Sequence, residues 1–462
     1  RKSHVRKLKP AYSRNATLSQ IKKSWSLNVP ARRKPLLLVL LTILLLVSVF
    51  NINQYHENTS LSNEIFQAIS SIEEELNIGR QKIYYPSYSS KTNAIIYLAQ
   101  KSHKVYQRDS MALLSKSLDL LFKNYLLIDD HYKNVTVFIF HTGDFNGSDI
   151  EGWKRRYPPE TNDTIQLINL LNTPYWKLPS WLNEGDLPKW RNPEFDIGYR
   201  HMIRWYAIRM WDYFSEINKM VGTRYKYIMR MDEESFFHSP IRYDFFHHMS
   251  ERGYDYSFRT CSYEMNAVQQ IFHNYTKHAR RKYGEEWHKN RHFTGSHCGF
   301  YNNWFIGNLQ FFKTPEVQHL LRFYDNESYM YRDRLNDLVI QTSVVYALCK
   351  TERIHRYLDF SYEHFTLDKD GCPKWGVLST GYRDKNAEDL VKNFVKMLEE
   401  ANCFVDPSSS KRSVPGLHIS RDHVRDLSPS YNHLRPNQRN MTVLSIKAGK
   451  IDLPNRGDKS GR

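Results

Sequence analysis

Apolar residues along this chain fall into two rhythms, continuous and helical, and their alternation sets the expected fold. Ala94 to Ala99 is an unbroken apolar stretch beginning just after Thr92, the pattern of a strand buried on both faces. Met111, Leu114, Leu118, Leu121 and Tyr125 then share one helical face, and Val135 to Phe140 is a second strand ending at His141-Thr142-Gly143-Asp144. This β–α–β order favours a parallel sheet with helices on both faces, an α/β fold. Residues 153–195 are rich in Trp, Pro and Asn and read as an ordered loop region, followed by a helix over Tyr199 to Ile217. The next strand runs Lys226-Tyr227-Ile228-Met229-Arg230-Met231 straight into Asp232-Glu233-Glu234-Ser235. A later strand-like run from Ile354 ends in Ser361-Tyr362-Glu363-His364. No internal repeat, P-loop or Gly-rich dinucleotide fingerprint is present.

The pattern ahead of Thr92 is different. Leu36 to Phe50 is apolar except for Thr42 and Ser48, and it directly follows Arg32-Arg33-Lys34-Pro35. The run is short against the usual span of about 17–25 residues, but flanking Pro35 and Asn51-Ile52 extend it to the interface. The basic leader is too long for a cleaved signal peptide, and no small-x-small site follows. The expectation is one transmembrane signal anchor at 35–52, with a basic cytoplasmic tail at 1–34 and the rest of the chain in the lumen. Residues 53–90 read as a stem. Its Ile65, Ile69, Ile72 and Leu76 stripe either packs on its own domain, the commoner outcome, or joins a homodimer as a short coiled coil. The folded domain is expected over 91–405, and the Ser-, Pro-, Asn- and Arg-rich segment 406–462 reads as an extension with little core.

Charge fits this layout. The formal net charge is +17, but residues 1–34 carry eleven Lys or Arg and no acid, so the excess sits in the tail. A nucleic-acid partner would call for basic residues on the folded domain, and none is expected. Asn58, Asn134, Asn146, Asn162, Asn274, Asn326 and Asn440 each head an Asn-x-Ser/Thr triplet on the lumenal side. The five cysteines allow two disulfides with one thiol left over.

Three regions carry candidate chemistry. If strand alternation persists past Met231, then Arg230, Asp232 and Glu234 point the same way, and carboxylates there suit a hard cation such as Mn²⁺ or Mg²⁺ held against a diphosphate. The bland alternative is a solvated, self-paired turn. Thr294 to Phe312, with Tyr301-Asn302-Asn303-Trp304, interleaves aromatics with amides as a sugar site does, or as a tightly packed core loop does. His364 beside Glu363 suits a metal ligand or a structural histidine. Asp337 reads from its spacing as a helix-start residue.

Taken in order, these segments resemble the fungal Golgi α-1,2-mannosyltransferase family, the glycolipid 2-α-mannosyltransferases. The resemblance runs from about Asn93 to His364 and is strongest in Gly198–Arg204, Arg230–Asp244, Cys298–Phe312 and the segment ending at His364. It implies a GT-A-like Rossmann-type mixed sheet flanked by helices, and a type II Golgi membrane protein. It further implies retaining transfer of mannose from GDP-mannose to a glycan acceptor, with Mn²⁺ or Mg²⁺. By this resemblance Asp232-Glu233-Glu234 takes the place of the family's Glu-Pro-Asp. Asp232, Glu234 and His364 would hold the metal, and Arg230, Tyr199 and Arg200 would hold the donor. Asp337 matches an Asp of the family's Trp-Gly-Asp segment. One departure matters most: Phe305 stands where the family carries its proposed catalytic Glu, so an acid from elsewhere, with Asp337 and Glu264 as candidates, or front-face departure of the diphosphate must serve. Alternatives with the same residues are a different nucleotide-sugar donor or a non-catalytic glycan-binding relative.

Overall fold

The computed structural model describes residues 91–400 except 104–106, 189–195, 223–224, 263–264, 284–298, 334 and 368–371, and in addition Cys403, 416–421 and 442–447. The tail, the expected anchor and the stem stripe lie outside the described residues. Among the described residues no helix is long and apolar enough to cross a membrane.

The apolar stretches form the centre of a seven-stranded mixed sheet in the order β3-β2-β1-β4-β7-β6-β8. Its strands are β1 (Asn93–Leu98), β2 (Val135–His141), β3 (Ile165–Asn169), β4 (Tyr227–Met231), β6 (Tyr256–Ser262), β7 (Gly299–Asn308) and β8 (Ile354–Arg356). β3, β2, β1 and β4 run parallel, as the β–α–β reading expects. β7 then reverses direction against both β4 and β6. The edge strand β3 falls inside the segment read as loop. It is only five residues long, with Gln166 and Leu167 half-buried, so it carries neither a continuous nor an alternating apolar signal.

Alternation along the central strands divides the core between the two faces of the sheet. Ala94, Ile96 and Ile228 face one cluster with Phe305, whereas Ile95, Tyr97 and Met229 face the other. Helix α1 (Ser110–Leu121) covers the second face with Leu114, Leu118 and Leu121, and the Asp109 side chain caps it by accepting from Ala112 N. α2 (Gly147–Lys154) follows β2. On the first face lie α3 (Ile197–Arg204), a π turn over Trp205–Arg209 and α4 (Met210–Val221), matching the expected helix. α6 (Met265–Tyr283), α7 (Pro315–Asn326) and α8 (Asp337–Leu348) complete this set, whereas α5 (Phe245–Arg252) packs Phe245, Phe246 and Met249 on the second face. α8 is buried along nearly its whole length.

A second, antiparallel sheet has the order β11-β12-β10-β9-β5. It joins β5 (Ser235–Phe237), directly after the acidic turn, to β9 (Tyr362–Leu367) and β10 (Pro373–Ser379). α9 (Ala387–Glu400) packs Phe394 on Phe365, and a Cys372–Cys403 disulfide joins the flanking segments. Among the described residues Cys349 is a free thiol. β11 (Gly416–Arg421) and β12 (Thr442–Lys447) continue this sheet, so the segment read as an extension with little core supplies two of its strands.

Gly307 in β7 permits a close approach. A Cβ there would lie 2.6 Å from Trp211 Cη2 and 2.9 Å from Phe312, two rings stacked 3.7 Å apart. Gly307→Ala is expected to lower the unfolding free energy by about 1–3 kcal/mol, as overpacking does. The shift in denaturant midpoint at unchanged slope checks this.

Candidate active site

The site forms where β4 ends. Ser235 folds the chain back, its N–H donating to Asp232 O at 2.9 Å while Asp232 N–H donates to Ser235 Oγ at 3.2 Å. This turn ends the strand, so the alternation that would align Arg230, Asp232 and Glu234 stops at Asp232.

Arg230 lies in the ladder between Ile96 of β1 and Phe305 of β7 and is buried. Its Nε donates to Asp232 Oδ1 at 2.8 Å and its Nη2 to Asp232 Oδ2 at 3.3 Å, while Nη1 pairs with Asp337 Oδ2. The Tyr206 ring, carried by the π turn, lies 3.4 Å from its Cζ, a cation–π contact. Asp337 is the first residue of α8, as its spacing predicted, and also accepts from Asn302 Nδ2 at 2.9 Å. Burial opposes the charge on Arg230, but Asp232 and Asp337 outweigh it and raise its pKa. Burial would raise the Asp232 carboxyl; Arg230 and His364 overcome that and hold it well below the usual carboxylate range.

β7 contributes through a register shift against β6, where Phe258 pairs with Phe305 but Thr260 pairs with Tyr301. The extra residues re-aim side chains, as bulges beside functional sites do. Asn302 reaches Asp337, while Asn303 Nδ2 lies 2.6 Å from Asp232 Oδ2 and 3.0 Å from His364 Nε2. Strand β9 sets His364 opposite Ser235. Its Nε2 is 3.4 Å from Asp232 Oδ2 and its Nδ1 is 3.3 Å from Tyr301 OH. In β10, Gly376 (φ 144°), paired with Phe365, lets the strands close, since a Cβ there would lie 2.1 Å from His364 O.

Arg230, Asp232, Asp337 and His364 are therefore brought together with Asn302, Asn303, Tyr301 and Tyr206. Glu234 is not joined to them. It pairs with Arg108, which also donates to Glu233 Oε1 at 3.0 Å. Burial raises both glutamates; Arg108 opposes this, and for Glu234 the neighbouring Glu233 and Asp232 carboxylates add to the rise. Arg200 donates to Tyr331 O at 2.7 Å and to Pro188 O at 3.3 Å, and Tyr199 lies on the same helix, half-buried against the core. Glu264 lies outside the described residues. Phe305 is fully buried between Trp211 and Tyr256. Sequence reasoning missed Arg108 and Tyr206. A lone Arg before a helix and one Tyr among many carry no pattern, although the π turn around Tyr206 is the kind of irregularity that marks functional sites.

The donor set fits a divalent cation in part. Ligands on one ion at about 2.1 Å lie roughly 3 Å apart, near the separation of Asp232 Oδ2 and His364 Nε2. No group of three or more His, Cys, Asp or Glu suited to a metal occurs among the described residues, so Asp232 and His364 would supply part of an ion's shell and not all of it.

Together these features define an α/β protein with a buried carboxylate–guanidinium–imidazole cluster at the ends of its central strands. The sequence profile described as glycolipid 2-alpha-mannosyltransferase matches residues 160–405, more than half of the chain, which therefore belongs to that family. Among curated relatives, mannosyltransferase KTR6 of Saccharomyces cerevisiae is 21% identical over 58% of this chain and 62% of its own length. Glycolipid 2-alpha-mannosyltransferase 1 of Candida albicans is 22% identical over 45% of this chain and 50% of its own. The chain thus spans about half to three-fifths of these two relatives. Among solved structures, core-mannan synthase A of Aspergillus fumigatus in its Mn/GDP form is similar with a TM-score of 0.48 and 17% identity, covering 62% of this chain and 79% of that one. Ktr4p of S. cerevisiae scores 0.47 at 16% identity, covering 69% and 84%.

Arg230→Met would leave two buried carboxylates facing each other. A loss of about 3–5 kcal/mol is expected, as when one partner of a buried pair is removed. The wild-type Asp232 pKa is depressed, so its stabilisation is present above the unfolded carboxylate value and lost as pH falls through the lower folded value. The deficit of Arg230→Met should therefore be largest near pH 7 and shrink below about pH 4, measured by denaturant unfolding across pH.

Proposed function

We propose that this protein is a membrane-anchored glycosyltransferase of GT-A-like fold that moves mannose from GDP-mannose to a glycan hydroxyl, with retention and in α-1,2 linkage. In this reading the anchor at 35–52 holds it in the Golgi membrane as a type II protein, with residues 91–405 lumenal. The observation that carries it is the convergence of Asp232, His364, Asn303, Arg230 and Asp337 at the end of β4, in a chain belonging to a mannosyltransferase family.

A divalent ion, Mn²⁺ or Mg²⁺, would neutralise the charge on the diphosphate leaving group. Asp232 and His364 are the residues that would hold it, oriented by the Asn303 amide between them. Arg230 is buried and occupied, so its part is to keep Asp232 ionised and fixed in direction. Asp337, Asn302 and Tyr301 offer the polar groups that orient sugar hydroxyls. With Phe305 in the core, transfer would follow front-face departure, the diphosphate guiding the incoming hydroxyl, and Asp337 is the remaining site acid among the described residues. Glu264 stays a candidate on its sequence position alone, Tyr199 and Arg200 on the resemblance.

The test is incubation of the purified protein with GDP-mannose, Mn²⁺ and methyl α-mannoside, with and without chelator, and mass spectrometry of the products. A chelator-sensitive disaccharide is expected, and linkage analysis of that product reports the α-1,2 assignment. Preference for another sugar nucleotide would remove mannose from the reading. The buried Phe305 favours one rival, a glycan-binding relative, which would bind donor or glycan and form no product.

Asp232→Ala and His364→Ala should each abolish metal-dependent GDP-mannose binding, read by calorimetry. Glu234→Gln should retain it, because Glu234 is held by Arg108. Loss in Glu234→Gln equal to that in Asp232→Ala would place Glu234 on the ion.

A further inference from the structure

Five Asn-x-Ser/Thr triplets fall among the described residues, and the fold treats them unequally. Asn134, Asn146, Asn162 and Asn326 are exposed, whereas Asn274 is half-buried in α6. The Asn274 Nδ2 donates to Tyr329 OH at 3.2 Å, and its Oδ1 accepts from Gln270 at 3.1 Å. Its chain neighbours Tyr275 and Thr276 are buried. A sugar on that nitrogen would crowd the Tyr329 hydroxyl to which it donates.

The exposed asparagines each keep the side-chain nitrogen available. Asn146 caps α2 through its Oδ1, which accepts from Ser148 N and Asp149 N, so the cap uses the oxygen and not the nitrogen. Asn134 immediately precedes β2, and Asn162 lies three residues before β3. Those strands are parallel neighbours, which puts both asparagines at the N-terminal edge of the sheet. The Asp232 turn follows the C-terminal end of β4, parallel to them, at the opposite edge. Carbohydrate at Asn134 and Asn162 would leave the candidate site clear.

The third-position hydroxyls add a constraint on timing. Thr136, Thr164 and Ser328 are buried in the fold. An enzyme that must read the hydroxyl meets it only before the chain has closed around it, so attachment precedes folding; a chain carrying a sugar at half-buried Asn274 is then hindered from closing into this fold, and the folded protein is the population bare at that site.

We propose that Asn134, Asn146, Asn162 and Asn326 are acceptors for N-linked oligosaccharide and that Asn274 stays bare. The inference rests on the lumenal placement proposed above. In the transfer, Asn Nδ2 forms the bond to the anomeric carbon of an oligosaccharide carried on a lipid diphosphate. The anomeric C–O bond breaks, the lipid diphosphate leaves, and the amide nitrogen gives up one proton.

The test is full-length protein expressed in a eukaryotic secretory host, released from glycans by an amidase in heavy-oxygen water, and mapped by peptide mass spectrometry. Labelled aspartate is expected at Asn134, Asn146, Asn162 and Asn326, and unlabelled asparagine at Asn274 and at Asn15, whose Asn15-Ala16-Thr17 triplet lies on the other side of the apolar run. Label at Asn274, or none at the four exposed sites, overturns the proposal. Protease treatment of sealed microsomes separates the causes. A protected domain with bare sites sinks the site assignment alone, whereas a domain digested without detergent sinks the lumenal placement with it. Asn134→Gln and Asn162→Gln should each remove one glycan by gel mobility and leave donor binding unchanged.

Discussion

A single buried guanidinium ties the candidate site to the fold. Arg230 holds Asp232 from the turn after β4 and Asp337 from the first residue of α8, with Tyr206 of the π turn against its face. A charge taken out of water is tolerated only when its partners and hydrogen bonds replace the lost hydration. Here two carboxylates and an aromatic face do so, and each comes from a different element. The beginning of α8, the π turn and the end of β4 are therefore held in one arrangement by the same electrostatic requirement.

Around that centre two irregularities of strand pairing bring in the neutral groups. A regular β7 would send Asn302 and Asn303 to opposite faces in a register dictated by Phe305. The shift against β6 lets Asn302 meet Asp337 while Asn303 turns to Asp232 and His364. The second sheet then carries His364 to the same place, because β9 pairs with β5 immediately after the acidic turn. β10 backs β9 at that point, and β12 backs β10, so a histidine central to the cluster is supported by strands far along the chain.

The parallel half of the sheet was legible because β1, β2 and β4 are buried on both faces and read as unbroken apolar runs. Arg230 stood out for the same reason: a charge at the end of such a run needs a partner. What was not legible was set by tertiary pairing. Strand alternation placed Glu234 beside Asp232, but the Ser235 turn broke the period and Arg108, more than a hundred residues upstream, took the carboxylate. β11 and β12 were lost among Pro, Asn and Arg because their Leu417, Ile419, Leu444 and Ile446 count as strand residues only once β10 is there to pair with.

Phe305 is best understood through the same charge balance. It sits directly across the ladder from Arg230, on the same face of the sheet. With Phe there, the Arg230 cation faces the Asp232 and Asp337 carboxylates, a buried excess of one negative charge that Asn302 and Asn303 amide donors ease. A glutamate at this position would add a third carboxylate to the same guanidinium, inside packing formed by Trp211, Tyr256 and Phe258. With an aromatic at 305, the charge beside the Arg230–Asp337 pair is balanced by Asp232 and the two amides alone, and the ring instead joins the packing of the first face.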